Sequence, residues 1–191
     1  MSYAYKIKLE RLSGEVSQQG GWRPKLMEIL TPNEMRDLFH EALQTLGWQS
    51  DQSHEDVDSK GHLYMEIEGV RCEFDEQELE IKAKLIETVH VEQSVTADSD
   101  DSATLKEARI QEGKRQQQQK LESAKIDKSR QLTAQLVSIE DKVKAQIDLA
   151  SHQAHAEALK IKAARLGEIK SAHSSIDAEG TLEVTIHVQM K

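Results

Sequence analysis

Cysteine, proline and aromatic residues are scarce in this chain. Of its 191 residues one is cysteine, Cys72, which excludes an internal disulfide and a multi-cysteine zinc site. We interpret Cys72 as a small, half-buried strand residue, because a free cysteine usually behaves as a hydrophobic side chain. Aromatic residues make up 4% of the chain, so a large aromatic-lined pocket is not expected.

An excess of positive charge and long hydrophobic runs are also missing. The chain has 25 Lys and Arg against 34 Asp and Glu and a net charge of -9, whereas a nucleic-acid partner requires a basic surface. Nucleic acid is therefore not expected as a partner. The start, MSYAYKIKLE, is a charged alternating segment without a hydrophobic signal core, so we expect no membrane span, no secretion and a cytoplasmic location.

The sequence has none of the common catalytic motifs. It contains no glycine-rich phosphate loop, no GxSxG, no HExxH and no paired-cysteine motif. His152 and His155, with Glu157 nearby, supply too few ligands for a stable metal site. We therefore assign no catalytic residue, no metal and no cofactor, and predict that the chain is not an enzyme. A small metal-dependent hydrolase using His152 and His155 is the weaker alternative, since it would need a pocket that a thin helix does not offer.

Residues 1–97 are predicted to form an N-terminal α+β sheet domain. The alternation of apolar and polar residues from Tyr3 to Glu10 predicts a strand. The segment Ser13–Pro24 is rich in glycine, serine and glutamine, which predicts a loop, and Lys25–Leu30 can form a short second strand. Trp22, in the predicted loop, is a possible partner-binding residue; packing onto its own core is an equal alternative.

A capping box predicts the next element. Thr31, Pro32 and Glu34 mark the start of a helix that runs to Leu46 and stops at Gly47. Three strands follow, over His62–Glu68, Val70–Phe74 and Leu79–Val95. The predicted domain is thus an antiparallel-rich sheet with one packed helix.

Residues 98–166 are predicted to form one long helix. The acidic string DSDDS suits a helix N-terminus, and the only glycine from Ala103 to Leu166 is Gly113. The stretch GKRQQQQK, from Gly113 to Lys120, has almost nothing to bury, so we expect it to be solvated or weakly paired.

The second half of this helix has an apolar stripe with an eleven-residue period, which is typical of a nearly straight or slightly right-handed helix pairing. No intramolecular partner for it is evident, so either the helix folds back or a second chain supplies the contacts. Because no Gly or Pro marks a turn between Lys114 and Leu166, we expect a homo-oligomer that associates through a coiled-coil-like contact of this stripe. The stripe consists of Leu132, Leu136, Ile139, Val143, Ile147, Ala150, Ala154, Ala158 and Ile161.

Residues 167–191 are predicted to form a C-terminal β-hairpin that turns around Asp177 to Gly180. An isolated hairpin is marginally stable in water, so this one needs a surface to lie on. The predicted fold class is therefore α+β, with an N-terminal sheet domain, a long central helix and a C-terminal hairpin.

Both ends of the chain carry a family resemblance. The strings YKIKLE, LMEILTPNEMRDLFHEALQTLGW and AEALKIKAARLGEIKSAHSSIDAEGTLEVTIHV resemble the small α+β companion proteins, of the domain X type, of bacterial FtsH-type ternary systems. The most specific parts are LTPNEM, ALQTLGW and AARLGEIK. The resemblance implies a conflict or stress-response system with an FtsH-like AAA+ ATPase, a MoxR-type ATPase and a von Willebrand A protein, in which this component is non-catalytic.

The leading hypothesis is a scaffold or adaptor that self-associates through the long helix and presents its strand-rich ends to an ATPase. A chaperone-like coiled-coil holdase is an alternative, but it requires exposed apolar tips where the sequence shows polar ones.

Overall fold

The computed structural model of the chain describes residues 3–50, 62–177 and 180–190. Its helices are α1 (Pro32–Thr45) and α2 (Ala103–Ala164). Its strands are β1 (Ala4–Lys8), β2 (Leu12–Trp22), β3 (Gln49–Ser50), β4 (Leu63–Ile67), β5 (Val70–Asp75), β6 (Glu80–Val91), β7 (Ser94–Asp98), β8 (Gly167–Ile176) and β9 (Leu182–Met190). The predicted α+β class, with a long central helix and a C-terminal hairpin, is confirmed.

The strands form three sheets. Strands β1 and β7 form a pair, the second sheet has the order β2-β6-β5-β4-β3, and β8 pairs with β9. The pairs β1–β7, β3–β4, β4–β5, β5–β6 and β8–β9 are antiparallel, which confirms the expected antiparallel sheet.

Contacts along the chain divide it into two compact units. The first comprises Met1–Gln19 and Lys84–Val137, and the second comprises Gly20–Ala83 and Ser138–Lys191. Each unit therefore combines strands with one part of α2. The division into domains 1–97, 98–166 and 167–191 follows the order of elements along the chain and stays a prediction.

In the first unit, the glutamine-rich part of α2 packs against strands. A Cβ added at Gly113 would lie 2.3 Å from Val95 Cγ2, so the helix backbone approaches the β7 side chain closely. Gln117 is 1% exposed. Its Nε2 donates hydrogen bonds to the carbonyl oxygens of Glu10, at 2.9 Å, and Val91, at 3.0 Å. The segment was expected to be solvated or weakly paired, and the solvated alternative is wrong at these two positions, because the backbone of the β1–β2 connection and of the end of β6 accepts the buried amide.

In the second unit, α1 begins at the predicted capping box. Thr31 Oγ1 accepts a hydrogen bond from the Glu34 N–H, and Glu34 Oε2 accepts one from the Thr31 N–H at 2.9 Å. The Thr31 hydroxyl also donates to Glu34 Oε2 at 2.7 Å. This bond, followed by the one from the Thr31 N–H and the one from Arg165, lowers the pKa of Glu34 to about 2. The helix ends before Gly47, whose φ of 94° is the left-handed conformation that glycine adopts readily.

The core of the second unit lies on one face of β4, β5 and β6. Leu63, Phe74 and Ile81 are register partners across the three strands, and each is at most 1% exposed. Helix α1 covers this row, since the ring centroids of Phe39 and Phe74 are 5.4 Å apart. Cys72 lies fully buried on the same face, and burial raises the pKa of its thiol to about 11. The interpretation of Cys72 as a strand residue is confirmed, but the side chain is fully buried and not half-buried.

Two predictions for the segment before α1 are wrong. Ser13–Pro24 was expected to be a loop, but most of it belongs to β2, whose residues alternate between exposed and more buried positions from Leu12 to Trp22. Glycine and glutamine favour a loop locally, whereas pairing with β6 supplies tertiary contacts that override this preference. Lys25–Leu30 was expected to be a strand and has no regular structure; Leu30 is instead buried with Met35 and Ala158.

Candidate interaction site at the C-terminal hairpin

The β8–β9 hairpin has one apolar face and one polar face. On β9 the residues Glu183, Thr185 and His187 are exposed, while their neighbours on the other face are half-buried. The apolar face, called the hairpin face below, consists of Ile169, Ala172, Ile176, Leu182, Val184, Ile186 and Val188, which are brought together by the strand register. Ile176 is 46% exposed, so this face is only partly covered within the chain.

The hairpin also has unpaired strand edges. Its sheet contains β8 and β9 alone, so in the described part of the chain neither strand has a second strand neighbour. The turn is closed by a hydrogen bond of 2.7 Å from the Thr181 N–H to Asp177 Oδ1. Outward-pointing N–H and C=O groups along such edges are available to pair with another strand.

Two cavities of the second unit flank the tip of the hairpin. The first, of about 640 Å³, is lined by α1, α2 and hairpin residues that include Leu38 and Ile176. The second, of about 740 Å³, is lined by the end of β2, by α2 and by Thr181 and Leu182. His152 and Leu182 line both cavities. The expectation that no concave surface lies beside the helix is therefore wrong, because the hairpin folds along α2.

His155, one of the two histidines considered as metal ligands, has a structural role. It is 5% exposed, and its Nε2 accepts a hydrogen bond of 2.9 Å from the Met27 N–H. Burial, followed by the neighbouring His152, lowers the pKa of His155. Because Nε2 accepts, the ring is neutral with its proton on Nδ1. Among the described residues, no group of three or more His, Cys, Asp or Glu side chains could hold a metal ion.

Trp22 lies at the end of β2 and not in a loop. Its side chain is half-buried and lines the second cavity. The next residue, Arg23, pairs with Glu80 at an Nε to Oε1 distance of 3.4 Å. A role of Trp22 in partner binding stays a prediction, and the structure places the side chain at the wall of a cavity where a ligand could reach it.

The helical stripe predicted to mediate self-association is buried inside the chain. Its relative exposures are Leu132 1%, Leu136 8%, Ile139 1%, Val143 0%, Ile147 5%, Ala150 0%, Ala154 1%, Ala158 0% and Ile161 37%. The premise that the stripe lacks an intramolecular partner is therefore wrong for all of these residues except Ile161. Ala158, for example, belongs to a buried cluster with Leu30 and Met35. Self-association itself stays a prediction, without support from an exposed stripe.

Sequence reasoning found the hairpin but missed the groups that surround it. Two distant segments, one with Arg23 and Lys25 and the other with Lys144 and Ser151, meet at the second cavity. No short motif joins them, so their proximity becomes visible only in the fold. For the hairpin face, by contrast, the alternation of β9 is a clear signal.

Fold and site together define an α+β protein with a partly open apolar hairpin and two surface cavities beside a long helix. The family model described as FtsH ternary system domain X5 matches residues 1–190, and the chain belongs to this family. The resemblance to a domain X component is confirmed. No curated protein and no solved structure matches the chain. Within the described residues, no helix has the length and apolar character needed to cross a membrane.

Proposed function

We propose that this chain is a non-catalytic adaptor of an FtsH-type ternary system and that it binds an AAA+ ATPase, FtsH-like or MoxR-type, through the hairpin face. Membership of a family described as a domain of such a system supports this role, because a component acts through contacts with the others. A von Willebrand A protein is the proposed third component. The chain itself is expected not to hydrolyse ATP, since the sequence has no phosphate-binding loop.

The partly exposed hairpin face is the observation that carries this proposal. Its aliphatic side chains lie on two strands of ten and nine residues that pair only with each other in the described chain. A two-stranded hairpin is marginal in water, and covering its apolar face stabilises it. A partner that packs on this face buries its apolar side chains, and a partner strand that pairs with an edge extends the two-stranded sheet.

The experiment compares two substitutions on adjacent residues of β9. Ile186→Asp places a charge on the half-buried apolar face, whereas Thr185→Asp places the same charge on the exposed polar face. Each tagged full-length variant is cross-linked in its native host, purified and analysed by mass spectrometry. An AAA+ ATPase should be recovered with the unmodified chain and with Thr185→Asp, and lost with Ile186→Asp, because burying an unpaired charge is costly.

Recovery of no AAA+ ATPase with the unmodified chain would contradict the proposal, as would equal recovery with both variants. Light scattering on the purified proteins shows whether a second copy occupies the face instead. In that case the unmodified chain is a dimer and Ile186→Asp a monomer, and self-association replaces ATPase binding as the role of the hairpin.

A holdase is the second candidate, and one observation favours it. Leu166 at the end of the long helix is 70% exposed, and Ile176 near the hairpin tip is 46% exposed, although polar tips were expected. A holdase should suppress aggregation of an unrelated, heat-unfolded client at equimolar ratio. An adaptor should not, so this assay separates the two functions.

A further inference from the structure

We propose that the second cavity of the second unit binds a small organic anion that carries a ring: the ring lies against Trp22 and the carboxylate or phosphate group meets Arg23, Lys25 and Lys144. This site shares one wall residue, Leu182, with the hairpin face proposed for the ATPase contact, and its polar groups lie outside that face.

The charges at the cavity differ in sign from the charge of the whole chain. Three cations, Arg23, Lys25 and Lys144, line the cavity against one carboxylate, Asp148, while the chain has a net charge of -9. Two of these cations have carboxylate partners outside the lining: Arg23 pairs with Glu80 and Lys144 with Glu140. Lys25 is exposed and has no ion-pair partner among the described residues, which makes it the cation most available to a ligand.

The interior of the cavity is suited to an apolar body. Its wall carries Trp22, Met27, Ile147 and Leu182, of which Trp22 is half-buried and Ile147 is 5% exposed. An aromatic side chain at the wall favours a planar ring through stacking. Small-molecule sites combine such apolar walls with a few polar groups that set the orientation of the ligand.

A buried hydroxyl without a partner provides an independent sign of a ligand. Ser151 lines the cavity and is 6% exposed, and its Oγ has no hydrogen-bond partner within the described structure. The Nδ1 of His152, on the adjacent residue, is likewise buried and unpartnered. Buried polar atoms are usually hydrogen-bonded, so an unsatisfied hydroxyl in a cavity wall indicates a missing partner. A polar atom on the ring of the ligand would satisfy it.

The size of the cavity agrees with this class of ligand. A volume of about 740 Å³ lies within the range of roughly 300 to 1,000 Å³ of small-molecule sites. An inorganic ion alone would leave the apolar wall exposed to water, and a neutral ring alone would leave Lys25 and Ser151 without partners. The combination of ring and anion uses both parts of the cavity.

The test separates ring from anion with four probes in calorimetry on the full chain. AMP carries a ring and a phosphate, phenylacetate a ring and a carboxylate, adenosine a ring without an anion, and inorganic phosphate an anion without a ring. At least one of AMP and phenylacetate should bind saturably and about tenfold or more tighter than adenosine and inorganic phosphate. Comparing AMP with phenylacetate then decides between phosphate and carboxylate.

Variants place the binding at this cavity. Lys25→Gln removes an exposed cation and should weaken binding by about tenfold or more, as expected for one hydrogen bond to a charged group. Lys162→Gln, on an exposed residue of α2 that does not line the cavity, is the matched control and should leave binding unchanged. AMP should also quench Trp22 fluorescence, while Trp48, at 3% exposure, contributes a constant background.

Three results would overturn the proposal. The first is the absence of saturable binding of both AMP and phenylacetate up to about 10 mM, a concentration that corresponds to a negligible affinity. The second is equal binding of AMP and inorganic phosphate, which would indicate a surface ion contact only. The third is unchanged affinity in Lys25→Gln. Far-UV circular dichroism of each variant verifies that the fold is kept, and the exposure of Lys25 makes a folding defect unexpected.

Discussion

Replacing Gln117 by alanine tests whether the glutamine-rich part of α2 is a packed element. The side chain is 1% exposed, and its amide donates to two backbone carbonyls, those of Glu10 and Val91. Alanine removes both of these part-buried bonds. Since each net hydrogen bond contributes about 0.5–1.5 kcal/mol, the loss of both should lower the unfolding free energy by roughly 1–3 kcal/mol.

Gln118→Ala is the matched control. Gln118 is the next residue in the same run and is exposed, and among the described residues its side chain bonds to the exposed Glu122 alone. Urea unfolding should show a lower midpoint for Gln117→Ala with an unchanged slope, and a change within about 0.5 kcal/mol for Gln118→Ala. Equal destabilisation by the two substitutions would refute the inference that Gln117 joins the helix to the strand ends.

Three further predictions follow from local contacts. Thr31→Ala removes the cap of α1 and should lower the unfolding free energy by about 1 kcal/mol in thermal melts, whereas Thr31→Ser should retain most of it. Protonation of His155 is disfavoured in the folded state, so the unfolded state binds more protons once the pH falls below about 6.5. The contribution of His155 to stability should therefore be fully present above that pH and decrease below it. Urea midpoints measured at pH 7.5 and 5.5 should show this decrease in the unmodified chain. The decrease should be weaker in His155→Gln, which keeps an acceptor for the Met27 N–H. Val143→Ala, at 0% exposure, should cost about 2 kcal/mol, whereas Val137→Ala, at 61% exposure, should cost almost nothing. If a second chain rather than this chain covered the stripe, the Val143→Ala midpoint would rise with protein concentration.

The elements that could be predicted from the sequence are those with local signals. The capping box at Thr31 and Glu34 determines where α1 begins, because both bonds join residues that are three positions apart. The alternation in β9 and the absence of proline in α2 are likewise properties of a short window of sequence. Helix α1, helix α2 and the hairpin were therefore predicted within a few residues of their bounds.

The features that could not be predicted depend on distant residues. Strand β2 contains glycine and glutamine that favour a loop, and only its pairing with β6, about sixty residues later, makes it a strand. The burial of the stripe also depends on distant residues. Its periodicity shows that one face of the helix is apolar and will be buried, but not which segment buries it. The second cavity also requires the fold, because the segment that contains Trp22 and Lys25 is far from Ser151 in the sequence.

The junction between α2 and the hairpin links the long helix to the proposed binding surface. The helix ends at Ala164, and Gly167 is already the first residue of β8, opposite Met190. A Cβ at Gly167 would lie 2.4 Å from the carbonyl oxygen of Gln189, a backbone atom that cannot move aside independently. Glycine at this position therefore permits a close approach of the strands. Because the connection between helix and strand is so short, the hairpin face has little freedom relative to the end of the helix, and a partner that binds this face meets a surface that is already positioned.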